Sequence, residues 1–172
     1  MGSSESRGED SSVMNKIDLY RDAETRIAAL VRDLQDPIAA MASAASVLHE
    51  LLPASSWTGF YRVVEPGLLR VGPYQGPVGC LEIPFNRGVC GAAARLERSQ
   101  VVEDVHSFEG HIACDASARS EVVVPVFDSR HTLVAVLDID SHQPAAFDDL
   151  DRTELERIVR LLSPCFDQRN QP

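Results

Sequence analysis

The sequence predicts an α+β domain: a central, mostly antiparallel sheet with helices packed on one face and site-bearing loops on the other. Three observations carry this. Both ends of the chain show apolar residues at helical spacing. The middle is a succession of short strand patterns separated by Gly/Pro turns. One pair of strongly apolar segments, "EVVVPVFD" and "TLVAVLDIDS", faces itself across a three-residue turn, "SRH", and reads as a buried central hairpin. Strands grouped in the middle and helices at the ends favour a layered α+β fold over a parallel βαβ array.

Each element follows from its pattern. Residues 1 to 15 are Ser-rich and polar and are expected to be a flexible tail, leaving 16 to 168 as one domain. "IDLYRDAETRIAALVRDLQD" spaces Tyr20, Ala23, Ile27, Leu30, Val31 and Leu34 by threes and fours, an amphipathic helix. Asp36-Pro37 supplies a cap and a first-turn proline for a second helix, whose apolar face is Ile38, Met41, Ala45, Leu48 and Leu52. "WTGFYRVV" alternates as a strand, and "PGLLRVGPYQG" is its hairpin partner around Pro66-Gly67. "CLEIPF" is a short strand that leads through a glycine turn into the helix of "GVCGAAARLE". "QVVEDV" is a strand, and residues 105 to 120 form a polar loop. Beyond the central hairpin, "FDDLDRTELERIVRLLSPCF" begins acidic and continues Leu155, Ile158, Val159, Leu162, Cys165 and Phe166, a capped helix with one apolar stripe.

Composition narrows the function classes. At 172 residues the chain can bury a full core without staples. A formal charge of −10 argues against nucleic acid or an anionic membrane as partner. No apolar run reaches the roughly 20 residues of a membrane span. The N-terminus lacks the apolar core of a secretion signal, so a cytoplasmic protein is expected. Gly2 with Ser6 fits the loose myristoylation pattern, but a polar tail is the simpler reading.

In a reducing compartment the four cysteines, Cys80, Cys90, Cys114 and Cys165, are candidates for metal binding, redox chemistry or packing. Cys165 continues an apolar helical stripe and reads as packing. Cys90 stands near a helix start, where free N–H groups favour a thiolate. Cys80 follows a Gly/Pro stretch, and Cys114 has His106 and His111 nearby. Zinc is disfavoured because no Cys-x2–4-Cys knuckle exists, and neither a metal nor another cofactor is expected. Converging cysteines without a metal suggest a nucleophile and a resolver.

Carboxylates join them. Asp138 and Asp140 are two apart on one strand and point to the same sheet face, and Glu121 opens the neighbouring strand. Either Asp alone is equally well read as strand-end solvation. The three together on a buried sheet are costly unless they bind a cation or hold a proton.

Four blocks, "WTGFYRV", "VGPYQGPVGCLEIPFNRGVCGAAA", "VEDVHSFEGHIACDASARSEVVVPVF" and "VLDIDS…FDDLD", resemble the free methionine-(R)-sulfoxide reductases, which are single GAF domains. The resemblance spans about residues 17 to 165. It implies a GAF-like catalytic domain that reduces free L-methionine-(R)-sulfoxide by thiol chemistry and is restored by thioredoxin, an activity that belongs to oxidative-stress defence. The family's three cysteines match Cys80, Cys90 and Cys114, its acidic positions match Glu121, Asp138 and Asp140, and its pocket aromatics match Trp57 and Tyr61. On that basis Cys114 is the attacking thiol, and Cys80 or Cys90 closes the disulfide. Glu121, Asp138 and Asp140 would receive the substrate ammonium, and one would stay protonated as the acid. Trp57 and Tyr61 would pack on the sulfoxide's methyl end, although by periodicity alone ordinary strand packing explains them equally well. The rival class is a ligand-binding GAF sensor without catalysis, for which three loop cysteines serve no purpose. The oligomeric state is left open between monomer and homodimer.

Overall fold

The computed structural model of the protein describes residues 15–110 and 116–167. Two helices come first, α1 (Lys16–Val31) and α2 (Pro37–Leu51). Then follow strands β1 (Trp57–Glu65), β2 (Leu68–Gln75) and β3 (Glu82–Pro84), helix α3 (Gly88–Leu96), strands β4 (Gln100–Val102), β5 (Ser120–Phe127) and β6 (Leu133–Ser141), and helix α4 (Asp149–Arg160). Single 3-10 turns occupy Val105–Ser107 and Ser163–Phe166.

The expected caps are in place. The Asp36 carboxylate accepts from the N–H groups of Ile38 and Ala39, with Pro37 at the first helical position. Asp148 and Asp151 form a reciprocal capping box at the start of α4. The Asp151 carboxylate is buried and also accepts from the Tyr20 hydroxyl at 2.7 Å and from Lys16, tying α1 to α4. No described helix is long and apolar enough to cross a membrane.

The six strands form one antiparallel sheet in the order β3-β2-β1-β6-β5-β4. Its centre is β1, β6 and β5, so the predicted β5–β6 hairpin is interior and buried on both faces. One face, with Phe60, Val122, Val124, Val126, Ala135, Leu137 and Ile139, meets α1, α2 and α4 in the main core. The opposite face, with Trp57, Tyr61, Val123 and Val136, is covered by α3 and by loops. Helix α3 thus joins the loops on the second face.

Two residues assigned to apolar helix faces are solvent-exposed. Leu30 is 53 % exposed and Ile38 46 % exposed. On α1 the buried stripe is Tyr20, Ala23, Ile27 and Val31, and Leu30 lies one step, about 100°, away from Val31. On α2 the buried set begins at Ala40, and Ile38 sits in the first turn ahead of it.

Candidate active site

Strand parity and register build the site. Along β1, Trp57, Gly59 and Tyr61 alternate toward the second face; Asp138 and Asp140 do so on β6, and Glu121 and Val123 on β5. Antiparallel pairing sets Trp57 opposite Asp140 and Gly59 opposite Asp138. On the other side of β6, Glu121 lies opposite Asp140 and Val123 opposite Asp138. Glu121 and Asp138 are therefore diagonal neighbours across two central strands, within reach for a long side chain.

Helix α3 lowers Cys90 onto this pair. On another side of the helix, Gly91 lets α3 pack against the end of β3: a Cβ there would stand 2.6 Å from the Pro84 carbonyl oxygen and 3.0 Å from that of Phe85. The Cys90 thiol donates to Glu121 Oε1 at 3.8 Å. Cys90 Sγ and one carboxyl oxygen each from Glu121 and Asp138 all lie within 4.8 Å of one another. All three residues are buried, and Asp138 Oδ1 has no hydrogen-bond partner among the described residues. Asp140 stands half-buried at the rim, its carbonyl accepting from the Ser56 N–H at 2.8 Å.

Burial decides the protonation states here. It raises Glu121 well above the ordinary carboxylate range, and the charges of Asp138 and Asp140 add to the rise. Asp138 is pushed up as well, chiefly by burial. Two buried carboxyls this close cannot both ionise cheaply, so the pair retains a proton. The Tyr61 phenol is pushed up by burial and then by Asp138, and remains an O–H donor.

Cys90 departs from expectation. Its helix-start position suggested a stabilised thiolate. Instead, burial and the adjacent Asp138 and Glu121 raise the thiol well above its usual range. A partial helix-end charge is outweighed by desolvation and two carboxyls at contact distance.

An aromatic wall closes the other side. Trp57 stacks on Tyr61, with centroids 5.6 Å apart and planes at 21°. It also stacks on Tyr74, at 5.2 Å and 17°. The indole N–H donates to the Pro77 carbonyl at 3.0 Å. The indole lies over Gly59, where a Cβ would fall 2.3 Å from Tyr74 Cβ and 2.6 Å from Trp57 Cη2. Tyr74 was not among the sequence candidates, although an aromatic directly across a hairpin from a glycine is a recognisable pairing.

The cysteines differ in state. Cys80, half-buried in the loop after β2, is disulfide-bonded. Cys90 and Cys165 are buried free thiols. Cys165 packs in the main core, as its place in the helical stripe predicted. Cys114 and His111 lie outside the described residues, as do the N-terminal tail and Gly2. Of the predicted site residues, the structure thus brings together Cys90, Glu121, Asp138, Asp140, Trp57 and Tyr61.

A six-stranded antiparallel sheet with a buried acid pair and an aromatic wall on the face away from the main helices defines a GAF-type domain. Comparison with known proteins agrees. The GAF-domain family profile matches residues 35–167. The free methionine-R-sulfoxide reductase of Escherichia coli is 40 % identical over 149 residues, 87 % of this chain and 89 % of that protein. The free methionine-R-sulfoxide reductase of Neisseria meningitidis, solved in complex with its substrate, superposes with a TM-score of 0.84 at 39 % identity, covering 90 % of this chain and 92 % of that one. The reduced form of fRMsr from Staphylococcus aureus superposes at 0.81 with 40 % identity, covering 86 % and 95 %. The chain belongs to the GAF-domain family and, within it, to the free methionine-R-sulfoxide reductases.

Proposed function

We propose that this protein reduces free L-methionine-(R)-sulfoxide to L-methionine, with Cys114 as the attacking thiol, Cys80 as the resolving thiol and thioredoxin as the reductant. The observation that carries the reading is the buried, proton-holding Glu121–Asp138 pair on the same face as the Trp57–Tyr61 wall. Sulfoxide reduction needs an acid for the departing oxygen, an anionic partner for the substrate ammonium and an apolar wall for the methyl sulfide. A carboxyl pair that shares one proton provides the first two together. The relatives carrying this activity in their names align over most of the chain, which supports the same substrate here.

The Cys114 thiol attacks the sulfoxide sulfur while the acid pair protonates the oxygen. The oxygen passes to cysteine sulfur, so methionine leaves and Cys114 becomes a sulfenic acid. The Cys80 thiol then attacks that sulfur, a disulfide forms, and water departs. An external dithiol reduces the bridge and restores both thiols. The role of Cys114 rests on the family resemblance and on its place seven residues before Glu121 in the chain. Cys80 as resolver is supported by its being the bonded cysteine while Cys90 remains a buried thiol. Cys90 is given a different duty: its S–H donates to Glu121 and helps hold the acid pair.

Methionine release from free R-sulfoxide, free S-sulfoxide and a blocked methionine-sulfoxide peptide, with dithiothreitol as reductant, tests the proposal. Release from the free R epimer alone is expected, and it should survive chelator treatment. Comparable release from the peptide would overturn it, because amide ends cannot use the charged subsites. Cys114→Ser should give no methionine even with stoichiometric substrate, whereas Cys80→Ser should give about one methionine per enzyme and then fail to recycle when thioredoxin replaces dithiothreitol. A single-turnover burst that survives Cys114→Ser and is lost in Cys90→Ser would exchange those two roles.

A further inference from the structure

We infer that Val78 and Leu81, which bracket Cys80, form the docking surface for a protein dithiol that reduces the Cys80 disulfide. The inference rests on the reductase reading above and adds the contact surface through which the reductant arrives.

These are the two most exposed large apolar side chains among the described residues, at 77 % for Val78 and 70 % for Leu81. Single exposed apolar residues are ordinary on protein surfaces and mean little alone. Here three further observations bear on them. First, the loop that carries them is pinned. The Pro77 carbonyl accepts from the Trp57 indole at 3.0 Å, and the Leu81 carbonyl accepts from the Val71 N–H at 3.0 Å. Between those pins, Gly79 runs against the Tyr61 hydroxyl. The backbone is thus held on both sides of Cys80 while two apolar side chains project into water.

Second, the segment Gln75–Leu81 has no charged side chain, in a chain where 24 % of residues are charged and the net charge is −10. An approaching protein meets no desolvated charge there, and an acidic partner meets no local repulsion. Third, the reducing equivalent must come from outside. The two free thiols among the described residues, Cys90 and Cys165, are buried at 3 % and 2 % exposure and cannot reach a partner in solution. Disulfide exchange requires a thiolate to reach a bridge sulfur closely, so the surface around that sulfur is where an encounter must be held. A small thiol needs no such surface. A protein whose attacking cysteine sits on an apolar face does, because buried apolar anchors at the centre of a contact dominate its energy.

The exchange balances. The incoming thiolate bonds to Cys80 Sγ, and the other sulfur of the bridge leaves as a thiolate. The second thiol of the reductant then attacks its own bonded sulfur, which closes the reductant's disulfide and frees Cys80 as a thiolate.

The test compares wild type with the Val78→Ser/Leu81→Ser double variant in oxidised form. One arm measures the second-order rate of mixed-disulfide formation with a thioredoxin whose second active-site cysteine is serine. The other measures reduction of the same bridge by dithiothreitol. The variant is expected to capture thioredoxin at least ten-fold more slowly, with the adduct mapped to Cys80 and with dithiothreitol reduction within two-fold of wild type. Capture within two-fold of wild type would overturn the inference. An equal slowing with dithiothreitol would also overturn it, since that outcome reports altered access rather than docking. Neither arm uses sulfoxide. A wild-type protein that exchanges with thioredoxin but releases no methionine would therefore overturn the reductase reading and leave the docking result standing.

Discussion

Replacing Asp138 by asparagine should make the protein more stable at neutral pH and nearly inactive. Asp138 is buried, and burial pushes its carboxyl from the usual 3.8 up to about 6. A rise of about two units corresponds to about 3 kcal/mol between the protonated and ionised forms. The folded state binds this proton more tightly than the unfolded chain does. Its stabilising contribution is therefore complete below about pH 4, falls as pH rises toward 6, and is gone above that. At pH 7.5 the wild type bears the cost of a buried negative charge, and Asp138→Asn removes it. The new amide can also donate to the Glu121 carboxyl beside it. The variant and wild type should unfold at similar denaturant concentrations at pH 4. The difference should grow through pH 6 to about 1–3 kcal/mol at pH 7.5, or roughly 2–4 °C per kcal/mol in melting temperature for a chain of this size. Methionine release should fall by about 10²–10⁴-fold, the usual contribution of a positioned acid. Urea unfolding at pH 4, 5, 6 and 7.5, alongside kcat, measures both. A variant less stable than wild type at pH 7.5, or a difference that does not change with pH, would refute the reasoning.

Three further outcomes follow from the same geometry. Gly59→Ala places a methyl group 2.3 Å from Tyr74 Cβ and 2.6 Å from the indole, so it should cost about 1–3 kcal/mol and raise KM for the sulfoxide, seen in urea unfolding and steady-state kinetics. Cys90→Ser keeps a donor to Glu121 and should retain most turnover. Cys90→Ala loses a contact that holds the Glu121 pKa down, so the alkaline limb of the kcat profile, where the proton donor is lost, should move to higher pH; identical profiles for the two variants would remove Cys90 from this role. Tyr20→Phe leaves the buried Asp151 carboxylate short of a donor and should cost about 1–3 kcal/mol in thermal unfolding without changing KM, because it lies on the opposite face of the sheet from the pocket.

Periodicity and turn chemistry are local properties, and what depends on them could be read from the residues alone. The alternation of "VLDIDS" sent Asp138 and Asp140 to one face, the Asp36-Pro37 cap started α2, and the long apolar runs of β5 and β6 marked the centre of the sheet. The same blocks carried the family. Other features depended on contacts between segments far apart in sequence. Register across β5, β6 and β1 made Glu121 the diagonal neighbour of Asp138 and set Asp140 opposite Trp57. The packing of α3 brought Cys90 to within 3.8 Å of a carboxyl 31 residues away, and the β1–β2 hairpin added Tyr74 to the aromatic wall. The ionisation of Cys90 shows why the division falls there. Its neighbours along the chain predicted a thiolate at a helix start, but a pKa is governed by the water removed and the charges placed within a few ångströms. Those were decided by which strands paired and how closely α3 approached them, and they made Cys90 a protonated thiol.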